Sequence, residues 1–391
     1  MKKFGLNKWV AALTVAALGA TVAEATPAFA RQTQMDCMSC HFQSIPKLNS
    51  FGRDFKLSGF TMSNVSEVKS EVGGGVNLPS NLNFAFITKA RLHKTDLGTT
   101  NTPLKTEIFD EAALLFGGKV SENIGTSMEF GAGLLGGKFI YSQQALGGRV
   151  GAVYFMTDAL GAFSGLEAYS SGLYRPVRQF ENRKLANIFQ KTGVGDGEAT
   201  GGQIFISTGG LLATVGAYMP ALGASISSGY TGFKTLARVA YETTVAGHEF
   251  SVGGYYLGGD VTTTPYAASA DVAKDRTSYG LDMQTQGHVN NMHLMITGGL
   301  VLANTYSADT KSDGGFHIDA QINPIEVVGV KAAMMQFNDN KDSTKNTTNL
   351  TGGVEYNMAQ NVRLMLEYTY TMGATSATSG SDILFMSMIA F

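Results

Sequence analysis

Val362-Arg363-Leu364-Met365-Leu366-Glu367-Tyr368-Thr369-Tyr370-Thr371 alternates in side-chain character along its whole length. Val362, Leu364, Leu366, Tyr368 and Tyr370 make one apolar face. Arg363, Met365, Glu367, Thr369 and Thr371 make a mostly polar one. A period of two marks an extended strand, whose successive side chains leave the pleat on opposite sides. Lipid outside and a wet lumen inside would suit such a strand; so would a soluble antiparallel sheet with one buried face.

The surrounding sequence separates these readings. Read at the same period, the chain offers about sixteen strands of the roughly 9 to 11 residues that a tilted barrel strand needs. They centre near Phe86, Ala112, Met128, Val153, Leu166, Phe205, Val215, Val239, Gly254, Tyr279, Leu294, Ile318, Val328, Val354, Leu366 and Met386. Short turns are expected at Gly117-Gly118, Gly209-Gly210, Ala246-Gly247, Asn323-Pro324 and Met358 to Gln360. Long polar loops are expected near 93–104, 171–200, 258–275, 303–314 and 337–349. Short and long connections in alternation are the mark of a barrel with periplasmic turns and extracellular loops. The last segment puts Ile383, Phe385, Ile389 and Phe391 on one face, broken only by Ser387, and a final strand ending in Phe resembles the assembly signal of bacterial outer-membrane barrels.

Composition agrees with a membrane barrel. Charged residues are 15% of the 391, glycine numbers 48, and the formal net charge is −2, which gives no basis for nucleic-acid binding. No segment after the leader approaches the eighteen or more consecutive apolar residues of a spanning helix, and only a closed barrel otherwise satisfies every backbone group in lipid. The first thirty residues read as an export signal: Lys2, Lys3 and Lys8 precede an apolar run from Trp9 to about Val22, and Ala28-Phe29-Ala30 is an A-x-A cleavage site.

Seven residues beyond that site stands Cys37-Met38-Ser39-Cys40-His41. Two thiols three positions apart can each add to a haem vinyl group, and the adjacent imidazole then reaches the iron as proximal ligand. A thioredoxin-like pair would need a βαβ context, a structural zinc site would need more ligands than two cysteines and a histidine, and a plain disulfide gives His41 no role. The reading is one covalent c-type haem on Cys37 and Cys40, with His41 on its iron. The chain therefore divides into a leader (1–30), a monohaem segment (31–76) and a barrel (77–391). The haem segment is too short for a core of its own. It is expected to plug the barrel lumen, with Gly73-Gly74-Gly75 as the junction; a periplasmic haem domain beside an open pore is the alternative.

Cys37-Met38-Ser39-Cys40-His41, then Pro46-Lys47-Leu48, Phe51-Gly52-Arg53-Asp54-Phe55-Lys56 and Gly59-Phe60-Thr61-Met62, resembles the N-terminal signature of the fused monohaem cytochrome-porins, the outer-membrane Fe(II) oxidases of iron-oxidising bacteria. The detailed resemblance covers residues 27 to 62. It implies that extracellular Fe(II), or chelated iron, donates an electron to the haem in an outer-sphere step and that a periplasmic cytochrome c removes it. Another donor at the cell surface, or a diffusion porin whose haem is sensory or peroxidatic, are the alternatives.

Other residues are candidates for supporting roles. Met62 is the first choice for the distal haem ligand and His93 the second. Arg53 and Lys56 could pair with haem propionates. Asp110 and Glu111 could touch Fe(II) in the lumen, and a strand rim explains them equally. Asn338, Asp339, Asn340 and Asp342 could hold a hard cation or simply form a solvated loop. The basic loop carrying Tyr174, Arg175, Arg178, Arg183 and Lys184 could fold inward over the haem. His288 and His293, five apart, are expected on opposite faces of one strand and so not as a metal pair. Gly131 to Gly136 matches G-x-G-x-x-G without the crossover helix that a dinucleotide site needs.

Overall fold

The computed structural model describes residues 27–43, 47–68, 78–81, 83–98, 100–131, 134–157, 179–194, 199–219, 230–231, 233–259, 262–263, 276–306, 312–359 and 361–391. Among them, sixteen long strands close into one antiparallel barrel. In chain order these are β1 (Phe84–Leu97), β2 (Lys105–Lys119), β3 (Ile124–Gly131), β4 (Leu134–Ala145), β5 (Gly148–Thr157), β6 (Ala199–Thr208), β7 (Leu211–Met219) and β8 (Lys234–Val245). They continue as β9 (His248–Gly258), β10 (Arg276–Val289), β11 (Met292–Tyr306), β12 (Ser312–Ile325), β13 (Val328–Asn338), β14 (Thr347–Ala359), β15 (Val362–Gly373) and β16 (Gly380–Ala390). Each strand pairs with the next, and β16 closes on β1 from Gly380↔Leu97 to Ala390↔Ile87. Among the described residues no helix is long and apolar enough to cross a membrane.

Alternation at β15 matches its sequence. Leu366, Tyr368 and Tyr370 are exposed on the outside, whereas Arg363, Met365, Glu367 and Thr369 are buried inside. The expected number of strands holds, with one exchange. The strand expected near Leu166 lies outside the described residues, and β4, which the alternation does not reveal, completes the sixteen. Tight turns fall at Gly209-Gly210 and Ala246-Gly247 as expected, each glycine with positive φ. Gly117-Gly118 instead lies within β2 and Asn323-Pro324 within β12, their turns following at 120–123 and 326–327.

Inside the barrel lie two inserts. The N-terminal one contains helix α1 (Pro27–Thr33), a 3₁₀ turn at Cys37–Ser39 and helix α2 (Ser50–Leu57). Helix α1 runs across the expected Ala30 cleavage point. The second insert, between β5 and β6, contains α3 (Arg183–Ala186) and α4 (Ile188–Lys191). Both meet the wall in a single buried cluster: Phe55 and Phe60 from the first, Ile188 and Phe189 from the second, and Ile140, Val153, Phe155, Phe205 and Leu236 from the wall. The Gly73–Gly75 junction and the residues Tyr174, Arg175 and Arg178 lie outside the described residues.

Candidate functional site: the Cys37–His41 turn

Asp36 builds the turn. Its Oδ1 accepts from Ser39 N at 2.9 Å, capping the 3₁₀ turn, and His41 N donates to Cys37 O at 2.9 Å. One helical turn thus gathers Cys37, Cys40 and His41, spaced i, i+3, i+4, onto a common cleft. The return strand fixes the imidazole: Phe42 N donates to Lys47 O at 2.8 Å, and His41 Nδ1 lies 3.1 Å from the same carbonyl. A carbonyl only accepts, so Nδ1 carries the proton and Nε2 holds the lone pair that a metal needs. Orientation of a ligating histidine by a backbone carbonyl is the usual second-shell device at metal sites.

Asn49 joins this turn to α2. Its Nδ2 donates to Ser39 O at 3.0 Å while its Oδ1 caps α2 at Gly52 N, 2.9 Å away. Gly52 matters for a different reason: a Cβ there would overlap the Cys40 carbonyl oxygen, so only glycine lets α2 sit against the turn. Phe29 stacks on Phe60 at 4.7 Å and meets Phe55 edge-on at 5.3 Å, forming the apolar back of the cleft.

Cys37 and Cys40 form no disulfide. Burial, then Cys37 and Asp36, push the Cys40 thiol up to about 11. Disulfide oxidoreductases need the opposite shift, toward a reactive thiolate, so the pair is poorly suited to redox exchange.

The other candidate residues separate. Lys56 lines the cleft with Met35, and both are within reach of whatever occupies it. Met62 does not line it; its side chain packs on the aromatic cluster and its carbonyl accepts from Gln32 Nε2 at 2.8 Å. Arg53 faces away from the cleft, donating from Nε to Glu242 at 2.8 Å, from Nη2 to Glu249 at 2.7 Å and from Nη1 to Leu48 O at 2.9 Å. It fastens the insert to the wall. His93 is bound to Asp382 at 2.8 Å, beside the second insert's Asn182. Asp110 and Glu111 belong to β2 next to a bulge, with Glu111 opposite Lys89; their side chains lie outside the described residues. Asp339 Oδ1 and Asp342 Oδ1 accept from backbone N–H groups of their own turn.

Arg53, Arg149 (paired with Asp54 at 2.8 Å) and Gln321 (bound to Lys47 and Gln43) all lie near the short-turn end of the barrel. The Cys37–His41 turn therefore sits at that mouth. Toward the opposite mouth, the second insert is held by charge: Lys331 Nζ donates to Gln179 O at 2.7 Å and to Glu367 at 3.0 Å, and Arg91 pairs with Glu181 at 2.9 Å. Arg183 and Lys184 belong to this inward insert, in α3, with Lys184 exposed, but toward the mouth opposite the Cys37–His41 turn and not over it.

Two relations escaped the sequence. Burial pulls the Lys47 ammonium down to about 7, Glu355 partly opposing and Lys331 and Arg363 adding to it. His288 and His293 are not on opposite faces of one strand. A two-residue turn separates them, they pair directly across β10 and β11, and their ring centres are 4.5 Å apart. Asn290-Asn291, both with positive φ, is the hairpin signal that would have revealed it.

No family model and no curated protein matches the chain. Solved structures do. An outer-membrane expressed OmpT of Vibrio cholerae superposes with TM-score 0.52 at 11% identity, over 83% of this chain and 100% of that one. The outer membrane channel DcaP of Acinetobacter baumannii gives 0.51 at 12% identity, over 84% and 100%. An anion-selective porin from Comamonas acidovorans gives 0.50 at 12%, over 80% and 99%. This likeness is one of fold. A closed barrel with an apolar outer band, on the porin plan, is a multi-pass protein of the outer membrane.

Proposed function

We propose that the chain is an outer-membrane electron-transfer protein in which Cys37 and Cys40 hold one c-type haem and His41 ligates its iron. The observation that carries this reading is the 3.1 Å contact of His41 Nδ1 with the Lys47 carbonyl, which assigns the proton to Nδ1 in an imidazole that lines the same cleft as both thiols. Bound there, the haem supplies a reversible one-electron couple. The remaining work falls to the protein. Cys37 and Cys40 tether, Lys56 brings a cation to the cleft for a propionate, and Phe55 and Phe60 exclude water. Phe29 and Ala30 also line the cleft and lie on the leader side of the expected cleavage point, so processing enlarges the room beside the thiols. Fe(II), bare or chelated, is the proposed external donor, becoming Fe(III), and a periplasmic cytochrome c the acceptor. The position of the turn near the short-turn mouth supports delivery on the periplasmic side.

A diffusion channel is the second reading, favoured by the porin fold of the structural neighbours. Against it stands the inward-facing apolar surface of Ile140, Phe155, Phe205 and Leu236, which a water-filled lumen would expose and which the two inserts cover. Anaerobic mixing of the purified oxidised protein with ferrous iron, followed at the reduced-haem α-band, tests the first reading. Rapid reduction supports it; reduction by dithionite alone removes iron as donor, and absence of any covalent haem in a host with cytochrome c maturation overturns it. Solute swelling of liposomes carrying the protein would support the channel.

A further inference from the structure

We infer that His288 and His293 form a binding site for a divalent late first-row transition ion at the periplasmic mouth, distinct from the Cys37–His41 turn. The hairpin of β10 and β11 sets the two residues directly opposite each other, and both follow the inward-facing register of Gln284, Gln286, Met295 and Thr297. Their rings stand at 88° with centres 4.5 Å apart. A metal–nitrogen bond of about 2.0–2.1 Å puts each ring centre about 3.2 Å from a shared ion. Two centres at the observed separation then subtend about 90° at that ion, the octahedral angle and a small rotation from the tetrahedral one.

The surroundings suit such a site. Phe42 stacks on the face of His293 at 5.3 Å, which fixes the ring and leaves its in-plane nitrogens clear, since ligation occurs at the edge. His41, His93 and His317 are each hydrogen-bonded to protein groups; among the described residues no hydrogen bond or ion pair engages His288 or His293. Glu326, on the neighbouring β12–β13 turn, is close enough to act electrostatically on His293 and favours a cation there, but among the described residues no third His, Cys, Asp or Glu joins the pair as a ligand. Water completes the coordination. Because Phe42 directly follows His41, an ion held here would clamp the haem-bearing insert to the barrel rim, while the site itself belongs to the wall and needs no haem.

Copper(II) is the probe, as the ion that nitrogen sites bind most tightly in this series. Titration of the full-length protein in detergent should give one tight Cu(II) per chain with an electron paramagnetic resonance spectrum split by two nitrogens. His288→Ala, at an exposed position that leaves the fold intact, should weaken it on the order of tenfold or more and reduce the nitrogen count, as should His293→Ala, since even second-shell changes cost about 10- to 100-fold. His248→Ala, on the other face of the sheet, should change neither. No tight Cu(II) in the parent, or an unchanged spectrum and affinity in both His288→Ala and His293→Ala, would overturn the site.

Discussion

The inner wall from β4 to β9 and the inner wall from β12 to β16 enclose the same lumen with different chemistry. The first presents Ile140, Val153, Phe155, Phe205, Leu212, Leu236 and Leu257. The second presents Asp319, Gln321, Lys331, Glu355, Arg363, Glu367 and Asp382, all buried. Barrel interiors are normally polar because water fills them, so the apolar arc implies permanent cover by protein. The charged arc achieves cover in another way. Lys331 is shared between Glu367, Glu355 and the Gln179 carbonyl, and Lys47 of the N-terminal insert lies within the field of Glu355 and Asp319. The first arc holds the inserts mainly by apolar area, with the Arg53 and Asp54 ion pairs only at its short-turn rim, and the second by buried matched charge, so the two should fail differently.

Lys331→Met strikes the charged arc hardest. It leaves Glu367 buried without its cation, while Glu355 keeps Arg363 at 3.7 Å, at a cost of roughly 3–5 kcal/mol to docking of the second insert. Faster proteolysis within residues 179–194 and a rise in single-channel conductance are the expected readouts, and adding Glu367→Gln should reverse much of both. Next comes pH. The Lys47 ammonium titrates near 7 when docked and near 10.5 when released, so between these values the released state binds the extra proton. Docking of the N-terminal insert therefore strengthens as pH rises from about 7 to 10, by roughly 3–4 kcal/mol across the window, and levels off at its weakest below pH 7, where both states carry the proton. Lys47→Met should flatten that dependence in hydrogen-exchange measurements on residues 47–62.

Phe155→Ala, in the apolar arc, should cost about 3 kcal/mol by opening a cavity, yet leave conductance unchanged, because an apolar void stays dry. A conductance rise here without one in Lys331→Met would break the comparison. Arg53→Lys is smaller, about 1–2 kcal/mol, since an ammonium cannot span Glu242 and Glu249 as the guanidinium fork does. Lys345→Ala, whose pair with Asp342 is on the exposed outer loop, should leave the thermal unfolding midpoint unchanged.

The same asymmetry decided what could be read from the sequence. β15 was legible because its inward residues are polar and its outward ones apolar. β4 was not, because Phe139 and Tyr141 face lipid while Ile140 between them faces an insert, and the run shows no alternation. The turn at Cys37–His41 was legible as a motif, since its ligand spacing is local. Its partners were not: Arg53 finds Glu242 and Glu249, and Lys47 finds Gln321, across separations of nearly two hundred residues or more. His288 and His293 required the turn between them to be recognised before their spacing meant anything.

The seam between β16 and β1 bears on the order of assembly. Phe86 and Phe391 exchange backbone hydrogen bonds of 2.6 and 2.9 Å, with their rings 5.2 Å apart, so the cylinder is complete only when its last strand meets its first. The N-terminal insert touches the wall beside the short turns, at the mouth from which it is tethered. It can thus be loaded after the cylinder has closed, as a cartridge is seated in a finished barrel, and folding of the insert and closure of the wall need not wait on one another.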